Sequence, residues 1–98
     1  MCMLDTIHAK RDEIHAIARK HKAEKLWVFG SVARKEETPE SDIDFLVKFA
    51  PHASWRDDEA LKAEYGVLFG RGVDVVRNTA VFRDPYFAAR VCPEAIRV

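Results

Sequence analysis

What the sequence has little of narrows its chemistry first. Sixteen Lys and Arg balance sixteen Asp and Glu over 98 residues, so no net positive field draws the chain onto a polyanion, and nucleic acid is not expected as its primary ligand. Apolar runs are only a few residues long and no basic-then-apolar leader opens the chain. That predicts neither a membrane span nor a secretion signal, and so a cytoplasmic protein. Only two cysteines occur, Cys2 and Cys92; they lack metal-ligand spacing and read as free thiols in a reducing compartment. His8 and His15 read as solvated or half-buried rather than as metal ligands. There is no repeat, low-complexity tract or linker. The length predicts one domain over 1–98, enough for one core but too short for a catalytic domain plus a separate acceptor-binding domain. Whatever the chain modifies is therefore expected to come from outside.

What is present is mostly periodic. Leu4, Ile7, Ile14, Ile17 and Ala18 recur at helical spacing among charged residues, predicting one amphipathic helix to about Lys22. Lys25 to Phe29 is β-branched and aromatic and reads as a short buried strand ended by Gly30. Ser31 to Glu37 reads as a short helix, and Pro39 keeps Thr38 to Ser41 in a loop. From Asp42 to Phe49 the alternation is strict: Ile43, Phe45, Val47 and Phe49 face a core, while Asp42 and Asp44 share the other face with Leu46 and Lys48. Ser54 with Asp57 resembles a capping box opening a helix to about Phe69, with Trp55, Leu61, Tyr65 and Leu68 as its inner stripe. Gly70 and Gly72 bracket a turn before a third strand, Val73 to Val76, on which Asp74 points away from Val73 and Val75. Asp84 before Pro85 starts a last helix that Pro93 interrupts.

Three of these features carry chemistry together. Asp42 and Asp44, two apart on a strand, project from one face within reach of a single cation, and Asp74 on a neighbouring strand would add a third carboxylate. Such crowding of like charge favours a divalent cation. Magnesium suits the set because it takes a few carboxylates and completes its shell with water and substrate phosphates. Two ions roughly 4 Å apart would clamp an in-line phosphoryl displacement. Gly30-Ser31, between a strand and a helix, offers backbone N–H groups and a hydroxyl to a phosphate, with Arg34 as a further contact. No Walker A spacing follows. Gly-Ser alone is usually a turn and Asp-X-Asp alone usually a solvated pair or a cap; the combination is what points to a site.

The stretch GSVARKEETPESDIDFLV, with Gly-Ser, ten residues, then Asp-X-Asp, resembles the signature of the DNA polymerase β nucleotidyltransferase superfamily. Within it the chain is most similar to the minimal nucleotidyltransferases, which share the Gly-Ser-X-Ala-Arg opening, the Ser-Asp-Ile-Asp core, a later segment like Val73 to Val76, and an ending like Asp84 to Val98. One departure is Lys35, where that group often has glycine. The resemblance implies an α+β (two-layer α/β) fold, a small mixed β-sheet with helices packed on it. It also implies metal ligation by Asp42, Asp44 and Asp74, and phosphate binding at Gly30 and Ser31. Members of this group are commonly the antitoxin of HEPN/MNT toxin–antitoxin pairs, which implies Mg2+-dependent transfer of AMP from ATP to a tyrosine hydroxyl of a partner HEPN ribonuclease. Two other readings stand beside it: a catalytically inactive antitoxin acting by steric contact, and the catalytic subunit of a small-molecule (antibiotic) nucleotidyltransferase. Phe82, Tyr86, Phe87 and Val91 are candidates for a docking face, with packing on the chain's own sheet the favoured role.

Overall fold

A computed structural model describes residues 2–98. Its elements are α1 (Met3–Ala9), α2 (Arg11–Lys20), β1 (Ala23–Phe29), α3 (Gly30–Ala33), β2 (Ile43–Phe49), α4 (Trp55–Phe69), β3 (Val73–Arg77), α5 (Thr79–Arg83), α6 (Pro85–Val91) and β4 (Ile96–Arg97). The four strands form one mixed sheet in the order β3-β2-β1-β4. β2 pairs antiparallel with β1 and parallel with β3, and β4 closes antiparallel on β1. This is the small mixed sheet with helices packed on it that the resemblance implies.

Strand alternation divides the apolar residues between two faces. Leu26 and Val28 of β1, Ile43, Phe45, Val47 and Phe49 of β2 and Val73 of β3 join Ile7, Ile14, Val32, Leu61 and Tyr65 from the helices in the main core. Each fully buried Ile, Leu or Phe there contributes about 1.5–3 kcal/mol relative to an exposed position. Tyr65 meets Phe45 at 5.1 Å between ring centroids and donates its hydroxyl to the Ile14 carbonyl at 2.8 Å, so its one polar atom is satisfied inside the core. The opposite face carries a smaller cluster of Phe29, Leu46 and Val91 with Trp27, Val76, Val81 and Phe87, through which α5 and α6 cover part of the sheet.

Several expectations are met at the level of hydrogen bonds. Ser54 Oγ accepts from the Arg56 N–H at 3.3 Å while the Asp57 carboxylate accepts from the Ser54 N–H at 2.9 Å, the reciprocal capping that starts α4. Asp84 caps α6 by accepting from Tyr86 and Phe87 N–H groups at 3.0 and 3.2 Å. Both cysteines are free.

Five details differ from the sequence pattern. The first helix bends at Lys10 into α1 and α2. Helical bonds from the Lys10 N–H to Thr6 and from the Ile14 N–H to Lys10 continue across the bend, so the buried stripe survives. Trp55, placed by spacing on the inner stripe of α4, is the first residue of that helix and is 69% exposed, whereas Leu61 and Tyr65 are buried. The helix expected over 31–37 is a single turn, and one turn, α5, follows β3 where none was expected. Asp42 lies in the loop just ahead of β2 rather than within the strand.

The end of α3 explains the departure at Lys35. Its backbone sits at φ 59, the left-handed region that glycine enters without steric cost. Releasing that strain, about 1–2 kcal/mol, outweighs the greater unfolded-state entropy of glycine, about 0.5–1 kcal/mol. Lys35→Gly is therefore expected to raise stability by roughly 0.5 kcal/mol in urea denaturation; a lowered midpoint would show that the lysine side chain contributes more than its backbone costs.

Candidate active site

The site forms where β1 ends and β2 and β3 begin, on the sheet face opposite the main core. In the β1–β2 register Phe29 stands across from Asp44, and in the parallel β2–β3 register Asp44 stands across from Asp74. In-register neighbours on adjacent strands point to the same face. Asp44 and Asp74 therefore share the face of Leu46 and Val76, as the alternation predicted. Asp42 reaches the same region from the loop, exposed, with Ile43 anchored by its N–H to the Gly72 carbonyl at 3.0 Å.

Two glycines make room for this arrangement. A Cβ on Gly30 would collide with the Asp44 carboxylate, and Gly30 also needs its φ of 75, so no other residue suits the turn from β1 into α3. A Cβ on Gly72 would collide with Oδ1 of Asp42. Each carboxylate of the Asp-X-Asp pair thus lies in the space left by one missing methyl group. The sequence marks Gly72 only as a turn residue, and its contact with Asp42, thirty positions away, carries no local signal.

A cleft of about 360 Å³ opens at Gly30 and Ser31, bordered by Phe29, Asp44 and three residues that bring charge, Arg34, Arg90 and Glu94. The Arg34 guanidinium donates to Glu94 Oε2 at 2.6 Å and to Glu36 Oε2 at 3.2 Å. Both contacts hold it in its charged form. Arg90 and Glu94, near the end of α6, are contributions that sequence reading missed. Nothing local distinguishes them from other surface charges, and the chain brings them to Ser31 only by folding α6 over the sheet.

Electrostatics single out Asp44. Burial first, then the charges of Asp74, Asp42 and Glu94, push its carboxyl above the ordinary range, against a smaller opposing pull from Arg34. Asp74 is about half exposed and lies 3.9 Å from Lys62 of α4, a contact of little energetic weight in water. Among the described residues no three His, Cys, Asp or Glu side chains gather tightly enough to hold a metal ion by themselves. The donor set nevertheless fits magnesium, which needs only one or two carboxylates and takes its remaining oxygens from water and phosphate. Asp44 is raised by burial first and by neighbouring negative charge second, and such an ion would offset both.

Comparison with known proteins follows the same outline. The profile of the family described as polymerase beta, nucleotidyltransferase matches residues 12–97. A protein of Methanocaldococcus jannaschii, provisionally named a protein adenylyltransferase, is 35% identical over 94% of this chain and 97% of its own length. A solved structure provisionally described as a minimal nucleotidyltransferase is 35% identical, covers 100% of this chain and 97% of that one, and superposes with a TM-score of 0.83. A toxin–antitoxin solved with AMP-PNP shares the fold at 19% identity, covering 88% of this chain and 69% of that one with a TM-score of 0.70.

The raised Asp44 has a measurable signature. Between the unfolded carboxyl pKa, about 3.9, and the higher folded value, the folded state binds more protons, so this group costs stability as pH rises through that interval and above it. Asp44→Asn is expected to be more stable than the parent in urea denaturation at pH 7, with the difference vanishing near pH 3. Millimolar magnesium should stabilise the parent and not the variant. A variant no more stable than the parent at pH 7 would contradict the charge crowding.

Proposed function

Since the chain belongs to the polymerase β nucleotidyltransferase family, we propose that it is a magnesium-dependent protein adenylyltransferase. In this reading it is the antitoxin of a toxin–antitoxin pair, working in the cytoplasm and transferring AMP from ATP to a tyrosine hydroxyl of a partner HEPN ribonuclease, which it silences. The observation that carries the reading is the register that sets Asp44 beside Asp74, with Asp42 adjoining, next to an open cleft at Gly30 and Ser31. The name of the M. jannaschii relative and the AMP-PNP in the toxin–antitoxin structure support the choice of ATP and of a protein acceptor.

The chemistry assigned to each residue follows from its place. The triphosphate lies in the cleft, where Gly30 lets the phosphates approach the backbone, the first N–H groups of α3 are available to them, and the Ser31 hydroxyl donates a hydrogen bond. Asp42, Asp44 and Asp74 would hold magnesium, which would supply positive charge to the phosphate oxygens and so ease attack at phosphorus. Asp74, half exposed and on an edge strand, faces the incoming acceptor. The tyrosine oxygen forms a bond to the α-phosphorus as the bond to pyrophosphate breaks, and the hydroxyl proton leaves through the carboxylate side of the site. Asp44 sits centrally, between the phosphate cleft and the acceptor edge, so its loss harms both halves of the reaction.

The apolar docking candidates divide. Val91 is buried and Phe87 is packed in the second cluster, whereas Phe82 is 83% and Tyr86 89% exposed. Only the latter pair is free to meet a partner. The intact aspartate row favours catalysis over purely steric neutralisation.

Incubation with α-phosphate-labelled ATP, magnesium and the partner toxin should move the label onto the toxin. Asp42→Asn combined with Asp44→Asn should reduce transfer by at least about a thousandfold, since both phosphate and nucleophile positioning are lost. An unlabelled toxin that is nevertheless neutralised would replace catalysis with binding.

A further inference from the structure

The cation that meets the triphosphate is settled by counting which positive charges in the cleft are already spent. Arg34 and Arg90 both border it. Arg34 is paired with two carboxylates, Glu94 at 2.6 Å and Glu36 at 3.2 Å, so two negative charges already face its guanidinium. Its charge is therefore largely cancelled within the protein. Arg90 has no carboxylate within ion-pair distance among the described residues. It lies over the Phe87 ring at 5.7 Å, and Phe87 in turn meets Phe29 edge-on at 5.9 Å. Phe29 directly precedes Gly30 and lines the same cleft. A guanidinium stacked on a ring keeps its in-plane N–H donors free.

We propose that Arg90, rather than Arg34, is the residue that binds the β- and γ-phosphates of the nucleoside triphosphate, while Glu94 keeps Arg34 occupied as a structural tie between α3 and the end of α6. The proposal rests on the nucleotidyltransferase reading and extends it by dividing the two arginines between binding and scaffold. Arg90 is preorganised by the Phe87–Phe29 stack at the mouth of the cleft, so little side-chain entropy is lost when phosphate arrives. It supplies positive charge in a site otherwise dominated by Asp44 and Glu94. The contact is with the terminal phosphates, because the α-phosphate must lie at the carboxylate row for transfer.

The test is equilibrium binding of a non-hydrolysable ATP analogue and of AMP, both with magnesium, by calorimetry on the full chain. Arg90→Ala should weaken the analogue at least about tenfold, as expected for losing a charge-assisted hydrogen bond, and AMP less than twofold. Because Arg90 is exposed, its urea midpoint should not move. Adding Glu94→Gln to Arg90→Ala frees Arg34 and should recover part of the lost affinity, an effect no purely structural role of Glu94 would produce. Unchanged analogue binding in Arg90→Ala, or a further loss on adding Glu94→Gln, would overturn the proposal. If the parent bound neither nucleotide, the nucleotidyltransferase reading would fall, and this assignment with it.

Discussion

The structure depends on holding like charges together. Asp44 lies half-buried with Asp42, Asp74 and Glu94 near enough to raise its proton affinity. A chain selected only for stability would disperse these groups, since each desolvated carboxylate beside another costs free energy at neutral pH. Here the crowding is fixed by the backbone. The β2–β3 register fixes Asp44 against Asp74, and the absence of a Cβ at Gly30 and Gly72 leaves the space that the Asp44 and Asp42 carboxylates occupy. A site that is unfavourable when empty and rigid in shape is suited to a divalent cation and a polyphosphate, whose charges complement it without reorganisation.

The scaffold supplies the rigidity from the other side of the sheet. β2 is the central contributor: Ile43, Phe45, Val47 and Phe49 are all buried in the main core while Asp44 faces the cleft from between them. The aromatic contacts of Phe45 with Tyr65 and Phe69 fix that strand against α4. On the opposite face, among the described residues, α5 and α6 cover part of the sheet and leave the aspartate row open. α6 and the turn after it bring Arg90 and Glu94 to the cleft at Gly30 and Ser31.

Much of this was legible from residues alone, and the limits are physical. Period-two alternation placed Asp44 opposite the core, and the same rule placed Asp74 on the matching face once its strand paired in parallel. Caps at Ser54 and Asp84 were readable because their partners lie two or three residues away. What was not readable lay far apart in the chain. Arg34 meets Glu94 across sixty positions, and Gly72 shelters Asp42 across thirty; neither leaves a periodic trace. Nearness to Gly30-Ser31 makes Arg34 a candidate phosphate contact, and its pairing with Glu94 and Glu36 shows only in the fold. Lys35 is the reverse case: its left-handed backbone, which favours glycine, is displayed by the fold and not by the residue type.

The central claim, that the glycine cradle sets the carboxylates for nucleotidyl transfer, is tested most directly by Gly72→Ala. The added methyl group meets the end of the Asp42 side chain rather than packed backbone, so the fold can accommodate it by displacing that carboxylate. The account predicts an almost unchanged urea midpoint with transfer to the partner reduced on the order of a hundredfold, the cost of misplacing a reacting group by roughly 1 Å. A folded Gly72→Ala protein with full transfer activity would contradict it.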